Sequence, residues 1–260
     1  MKSIVYQSYR THQVPDWIAT CMQTVRAWAD SHAFEYRFID DAFLAYAPDW
    51  FRAKADGQIC PTTDLARLLV ARELLAQGYE RAIWVDADLL VFAPEKLTLE
   101  VTADFAFCHE IWLFTDETGE SQISHRVNNS ISVFCKNNVH LDFFIDAALR
   151  IAQHRQHIGK LDIGTIFLSQ LRSILPYPLL ENVGILGPEL MREISLEQAR
   201  HLIDYARRLK APLACANLCA SLHGQTIQDI ALEHSLYEDV VQRLLASRGE
   251  IINRFYLAPA

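Results

Sequence analysis

Two periods of apolar residues divide this chain into strand-like and helix-like stretches. Residues 3–8, Ser-Ile-Val-Tyr-Gln-Ser, read as a first strand. Pro15 and Asp16 then open a segment in which Trp17, Ile18, Cys21, Val25 and Trp28 recur at helical spacing. Residues 34–39 read as a second strand, ending at Asp40 and Asp41. Behind Pro61, a strong helix is predicted from Thr62 to Gln77, with Gly78 just past its end, where glycine is favoured. The run Arg81-Ala82-Ile83-Trp84-Val85 is short and apolar, as strands buried in parallel sheets are.

Beyond Pro94 the pattern loosens. Strands are expected at 105–109 and 130–135, with a polar loop over 115–126 between them. Helices are expected over 141–152 and 162–173, and another from Ser195, since Ser195 and Gln198 have capping-box spacing. Residues 215–222 read as a late strand and 229–247 as a closing helix. No repeat or linker interrupts the chain. The early strand–helix alternation predicts an α/β fold with a largely parallel sheet, and the looser second half one mixed domain over residues 1–260.

Composition narrows the function classes. The 260 residues are 51% hydrophobic and 22% charged, ordinary for a globular chain. No apolar stretch nears the roughly 20 residues of a membrane span. The start at Met1-Lys2-Ser3 runs straight into the first strand without a leader-like apolar region. A cytoplasmic protein with no transmembrane segment is therefore expected. The net charge of −8, with no basic block, argues against a nucleic-acid partner. A phosphate-bearing small ligand stays compatible if a local metal or arginine holds it. The six cysteines are scattered without a CxxC pair and read as small buried hydrophobes.

The candidate chemistry lies at Trp84-Val85-Asp86-Ala87-Asp88-Leu89-Leu90. Two carboxylates leave an apolar strand two residues apart, and in extended geometry both point to one side. Ligands of open α/β sheets bind beyond the carboxyl ends of strands, where this pair falls. Close carboxylates repel, and a hard divalent cation such as Mg²⁺ or Mn²⁺ removes the conflict. A pair of solvated turn acids is the bland alternative. The preceding helix runs back toward the same edge and brings Asp64 and Arg67, three apart on one face, from its first turn. An arginine there can fork onto phosphate or sugar oxygens; a local ion pair at a helix start is the other reading. Trp112 and Phe114 read either as core or as lining of an acceptor groove.

These residues resemble a known family. Thr63-Asp64-Leu65-Ala66-Arg67, then Gly78-Tyr79, then Trp84-Val85-Asp86-Ala87-Asp88, is similar to the DXD sugar-binding region of GT-A glycosyltransferases. The pattern is closest to family 32, whose relatives include capsular-polysaccharide enzymes and clostridial glucosylating toxins. Ile4-Val5-Tyr6-Gln7-Ser8-Tyr9, Val14-Pro15-Asp16-Trp17 and Tyr36-Arg37-Phe38-Ile39-Asp40-Asp41 resemble the same family's opening stretches. The match is dense over about the first 95 residues. Beyond them it rests on Asn128-Asn129-Ser130, on Asp162-Ile163-Gly164-Thr165 and on His223-Gly224. The chain departs from the pattern at Gln77, where a second glycine is usual, at Tyr9, where tryptophan is usual, and after His223, where Ser-Trp is missing.

The resemblance implies a GT-A-like, Rossmann-type fold with a mixed, mostly parallel central sheet flanked by helices. It places a nucleotide-sugar-binding half at 1–95 and an acceptor half at 96–260. The implied activity is metal-dependent, retaining transfer from a UDP- or GDP-sugar in glycan or polysaccharide biosynthesis. The acceptor, a glycan, a lipid-linked sugar or a protein, is left open. By carry-over, Asp88 and Asp86 hold Mn²⁺ or Mg²⁺ with His223 as a further ligand. Gln7, Tyr9, Asp64, Arg67, Asp86, Asn128 and Asn129 contact the donor. Asp162 and Arg67 are the candidate catalytic residues, with a helix N-cap the other reading for Asp162. The competing classes are a non-catalytic nucleotide-sugar-binding module and a haloacid-dehalogenase-type phosphatase. The latter wants Thr or Val where Leu90 stands.

Overall fold

The computed structural model describes residues 2–99, 101 and 103–258. Strand β1 (Ser3–Ser8) sits between two parallel partners, β2 (Glu35–Ile39) and β3 (Arg81–Val85). Beyond β3 come β6 (Ser121–Cys135), β5 (Phe105–Thr115) and β7 (Leu179–Leu180), giving a six-stranded sheet in the order β2-β1-β3-β6-β5-β7. Only β6 runs against the rest, so the sheet is mixed and mostly parallel. A second sheet joins β4 (Leu89–Val91), β9 (Cys215–Asn217) and β8 (Val183–Ile185). This is the α/β class that the alternation predicts.

Side-chain alternation along β1 and β3 decides which layer covers which face. Ile4, Tyr6, Ala82 and Trp84 point into a core with α2 (Asp49–Ala55), α3 (Ile59–Ala76), α4 (Leu141–His154) and α5 (Phe167–Ile174). Val5, Ile83 and Val85 point the other way, against α1 (Asp16–Ser31) and the small sheet. A further core joins α1 to α6 (Pro188–Leu196), α7 (Arg200–Ala206) and α8 (His234–Ser247). With both faces covered, the strands lose the polar–apolar alternation of a half-exposed sheet.

Helix α3 ends as its sequence dictates. Gly78, at φ +98°, takes the left-handed position, Tyr79 N–H reaches the Leu74 carbonyl at 3.3 Å and Gly78 N–H that of Leu75 at 3.1 Å. Its start differs from expectation. The helix begins at Ile59, so Asp64 and Arg67 lie in its second and third turns.

The second half differs more. The polar stretch expected to be a loop over 115–126 is the tip and outer arm of a long β5–β6 hairpin. Its turn is tied by Asp116, whose Oδ1 accepts the N–H groups of Thr118 at 2.9 Å and Glu120 at 3.0 Å. Polar side chains there mark half-buried strand faces. The helix expected over 162–173 is a tight turn, Asp162–Ile166, broken at Gly164, followed by α5. Ser195 lies in the last turn of α6, which Pro188 opens. The strand expected over 215–222 stops at Asn217, and a 3₁₀ turn, Ala220–Leu222, follows. The closing helix starts at His234, because Thr226–Ile227 and Ile230–Ala231 form a small hairpin through Gln228 and Asp229, both at positive φ.

Glu193 of α6 does what the capping-box motif was expected to do, from another element. Buried at 3% exposure, it accepts the N–H of His201 at 2.9 Å on Oε1 and that of Leu202 at 2.9 Å on Oε2. Glu193→Ala leaves both buried donors unpaired and is expected to cost about 2–4 kcal/mol. A thermal melt should show a fall of roughly 5–10 °C; an unchanged melting temperature would refute this capping role.

Candidate active site

A cleft of about 530 Å³ opens at the carboxyl ends of the parallel strands, within the usual size of small-molecule sites. At its centre the chain leaves β3 and turns at once, with Leu89 N–H donating to the Asp86 carbonyl at 3.1 Å. Asp86 and Asp88 therefore meet through a turn, and not through the strand alternation expected of them. Asn217, ending β9, donates its amide to both acids, at 3.3 Å to Asp86 Oδ2 and 2.8 Å to Asp88 Oδ1. Its own Oδ1 accepts from Cys219 N–H at 2.8 Å, which holds the amide in that sense. Asp88 Oδ2 accepts from Ala220 N–H at 2.7 Å. Asp86 Oδ1 accepts from the Trp84 indole N–H at 2.6 Å and lies 3.3 Å from Arg67 Nη1.

Arg67 is the hub of one wall. Nη2 lies 3.1 Å from Asp64 Oδ1, Nη1 donates to the Asn129 carbonyl at 2.5 Å, and Nε donates to the Thr63 carbonyl at 3.4 Å. The guanidinium also lies 4.9 Å from the centre of the Trp84 ring. At 4% exposure, with each nitrogen engaged, it is a clamp for the two acids and not a free phosphate fork. Asn129 Nδ2 completes the arrangement by donating to Asp64 Oδ1 at 2.9 Å. The Gly164 backbone presses on the same acid: a Cβ there would lie 2.7 Å from Asp64 Oδ2. That approach explains a glycine in the broken turn after Asp162.

The two central acids are unequal. Burial raises the pKa of Asp86, and Arg67 and the Trp84 N–H partly offset the rise. Burial and then the charge of Asp86 push Asp88 up to about 7, against neutral donors alone. Asp64 is also raised by burial, with Arg67 opposing. A carboxylate pair that ionises this reluctantly, presenting oxygen donors only, fits a hard divalent cation. Among the described residues, no group of three or more His, Cys, Asp and Glu is placed to hold a metal. Asp86 and Asp88 would thus be the protein's acidic ligands, with water and ligand phosphates completing the shell.

Of the other residues singled out from sequence, Tyr9, Asn128 and Asn129 line the cleft. Gln7 is buried behind it, donating to the Asp86 carbonyl at 3.1 Å and accepting from Tyr36 OH at 3.0 Å, so it braces the turn. Asp162 is not in the wall. Its Oδ2 accepts from Gly159 N–H at 2.8 Å and lies 3.4 Å from Arg155, closing the turn that carries Gly164. His223 is not in the wall either. Its ring packs beside His234 and Tyr237, at 4.2 and 5.6 Å between ring centres, with Nε2 buried and unpartnered. Among the described residues it does not form a metal-binding group with the aspartates. Sequence reasoning missed Asn217 and Glu110. Each is a polar residue inside an apolar strand, a signal available in Cys215-Ala216-Asn217-Leu218 and in Phe107-Cys108-His109-Glu110-Ile111.

No family model matches this chain, and no curated protein matches it by sequence. Solved structures give distant likenesses. One is a glycosyltransferase involved in glycosylating the major capsid of PBCV-1, 9% identical, with 84% of this chain and 93% of that chain covered at a TM-score of 0.46. Another is the apo form of the glycosyltransferase GlyE of Streptococcus pneumoniae, 12% identical, with 100% of this chain and 66% of that chain covered, also at 0.46. A third is a Drosophila β-1,4-galactosyltransferase 7 mutant in complex with manganese, UDP-Gal and xylobiose, 10% identical over 60% of this chain and 63% of that one at 0.30. At such identities the functional reading rests on the site itself.

The Asp88 proton sets a pH dependence in metal-free buffer. The folded chain keeps it up to about pH 7, whereas the unfolded chain releases it near 3.8. Between those values the folded state binds more protons, so stability falls as pH rises and levels off above about 7. Melting temperatures from about pH 5 to 8 should decline in the wild type, and Asp88→Asn should flatten the slope. A slope unchanged in the variant would show that another group titrates. Gly164→Ala should cost about 1–3 kcal/mol by driving Asp64 off Arg67, measured by denaturant titration.

Proposed function

We propose that this protein is a metal-dependent glycosyltransferase using a nucleotide diphosphate sugar. One observation carries the reading: Asp86 and Asp88 meet across a single amide at the centre of a large cleft, with the Asp64–Arg67 clamp on the same edge. Two half-buried acids held this close, one of them short of compensating charge, suit a cation that faces a diphosphate. When bound by Asp86 and Asp88, Mn²⁺ or Mg²⁺ would neutralise the diphosphate and stabilise the leaving group as a Lewis acid.

The chain's own groups have distinct tasks in this reading. Ser8, Tyr9, Asp41 and Leu44, from the β1–β2 side of the cleft, would receive the nucleoside. Asp64, Asn128 and Asn129 would meet the sugar hydroxyls. Arg67 holds Asp64 and Asp86 in position, and Asp162 and Gly164 set the turn behind Asp64. In the transfer the anomeric C–O bond breaks, its electron pair leaving with the diphosphate. The acceptor oxygen bonds that carbon and gives up its proton to an oxygen of the departing diphosphate. The resemblance to family 32 favours retention of configuration, a UDP- or GDP-sugar donor and a role in glycan or polysaccharide synthesis.

The test is release of nucleotide diphosphate from a panel of UDP- and GDP-sugars with Mn²⁺. Turnover should vanish with chelator and fall at least about 100-fold in Asp88→Asn, in line with the loss of a metal's several kcal/mol of charge stabilisation. Arg67→Lys, which keeps the charge but loses the fork, should cost about 10-fold or more. Binding of nucleotide without release would instead identify a non-catalytic module, and near-normal turnover in Asp88→Asn would sink the assignment.

A further inference from the structure

The cleft continues past the aspartates onto the outer arm of the β5–β6 hairpin. β3 pairs with β6 only over Ile131–Cys135, and β7 with β5 only at Phe107 and Cys108, so the arm beyond stands clear of the sheet. Ile111 and Leu113 anchor one of its faces in the core. Glu110 and Trp112 alternate with them and share the other face. Arg126 is the cross-strand partner of Glu110, on the same side. All three line the cleft.

Glu110 is 4% exposed, a costly place for a carboxylate without a function for it. Its Oε2 accepts from Asn128 Nδ2 at 2.9 Å. Its Oε1, among the described residues, has the Arg126 guanidinium at 3.8 Å, beyond hydrogen-bond reach. One carboxylate oxygen is thus left to accept from a ligand, and nothing in the clamp around Asp86 and Asp88 uses it. The sheet order puts this arm and the β1–β2 edge on opposite sides of β3, hence of the aspartate pair.

We propose that Glu110, Trp112 and Arg126 form the acceptor subsite and that its occupant is a neutral pyranose sugar, an assignment that rests on the glycosyltransferase reading for its role in transfer. An indole face covers the C–H face of a sugar ring and excludes water from it. The Glu110 carboxylate accepts from one hydroxyl while the Arg126 guanidinium beside it donates to the neighbouring one, a pairing that adjacent ring hydroxyls satisfy. Glu110 disfavours an anionic sugar through like-charge repulsion.

The test uses the full chain with Mg²⁺ and reads the two ligands separately. Calorimetry with UDP and with GDP reports the donor side. Saturation-transfer NMR with methyl glucoside, galactoside, mannoside and N-acetylglucosaminide, at about 10 mM to suit weak sugar affinities, reports the subsite. At least one glycoside should show saturated ring protons. Its affinity should fall on the order of tenfold in Trp112→Ala and in Glu110→Gln, with Trp112→Phe retaining most of it and all three variants melting cooperatively. Failure of every glycoside to bind, or wild-type affinity in Trp112→Ala and Glu110→Gln, would overturn the subsite. Sugar binding without nucleotide binding would instead remove the donor reading and leave the subsite standing.

Discussion

The repulsion between Asp86 and Asp88 is the constraint around which this end of the molecule is arranged. Two carboxylates that share a half-buried turn cannot both ionise without compensation. Asp86 has it from the Arg67 guanidinium and the Trp84 N–H; Asp88, among the described residues, has neutral donors such as the Asn217 amide and the Ala220 N–H. This inequality makes Asp88 the acid most in need of a positive partner. It also ties the site to elements far apart in the chain, since the turn after β3 supplies the acids and β9, some 130 residues on, the amide that joins them.

Arg67 propagates that constraint into the fold. A buried guanidinium left unpaired is costly, so every nitrogen finds a partner, and those partners come from α3, the turn after β3, and β6. Tyr6 of β1 adds a hydrogen bond from its hydroxyl to the Arg67 carbonyl at 2.7 Å. Of the two readings open for Arg67 from the sequence, a fork for a ligand or a local ion pair, the geometry matches the ion pair. In the proposed function, selection of a ligand falls to the rest of the wall: the Glu110 carboxylate, the indole of Trp112 and the edge at Tyr9.

The second half of the chain supplies this wall without regular periodicity. The broken turn Asp162–Ile166 carries Gly164 against Asp64, where a side chain would not fit. The 3₁₀ turn Ala220–Leu222 puts a backbone N–H on Asp88. Such pieces leave faint marks in a sequence because their conformations are imposed by tertiary neighbours and not by local propensity.

Local chemistry determined the main strands and helices of the first half of this protein. The apolar run of β3, the helix closed by Gly78 and the Asp86–Asp88 pair are written in consecutive residues, since burial on both faces and left-handed helix termination select particular residue types. Asp64 and Arg67 were legible for the same reason, being neighbours on one helix face. Only the tertiary structure decided that Asn217 bridges the acids, that Glu110 faces the cleft and that His223 stays packed among rings. It also turned polar residues 121–126 into strand. In each case the partner lies many residues away, and the energy that fixes the side chain comes from long-range pairing and burial that no short window of sequence contains.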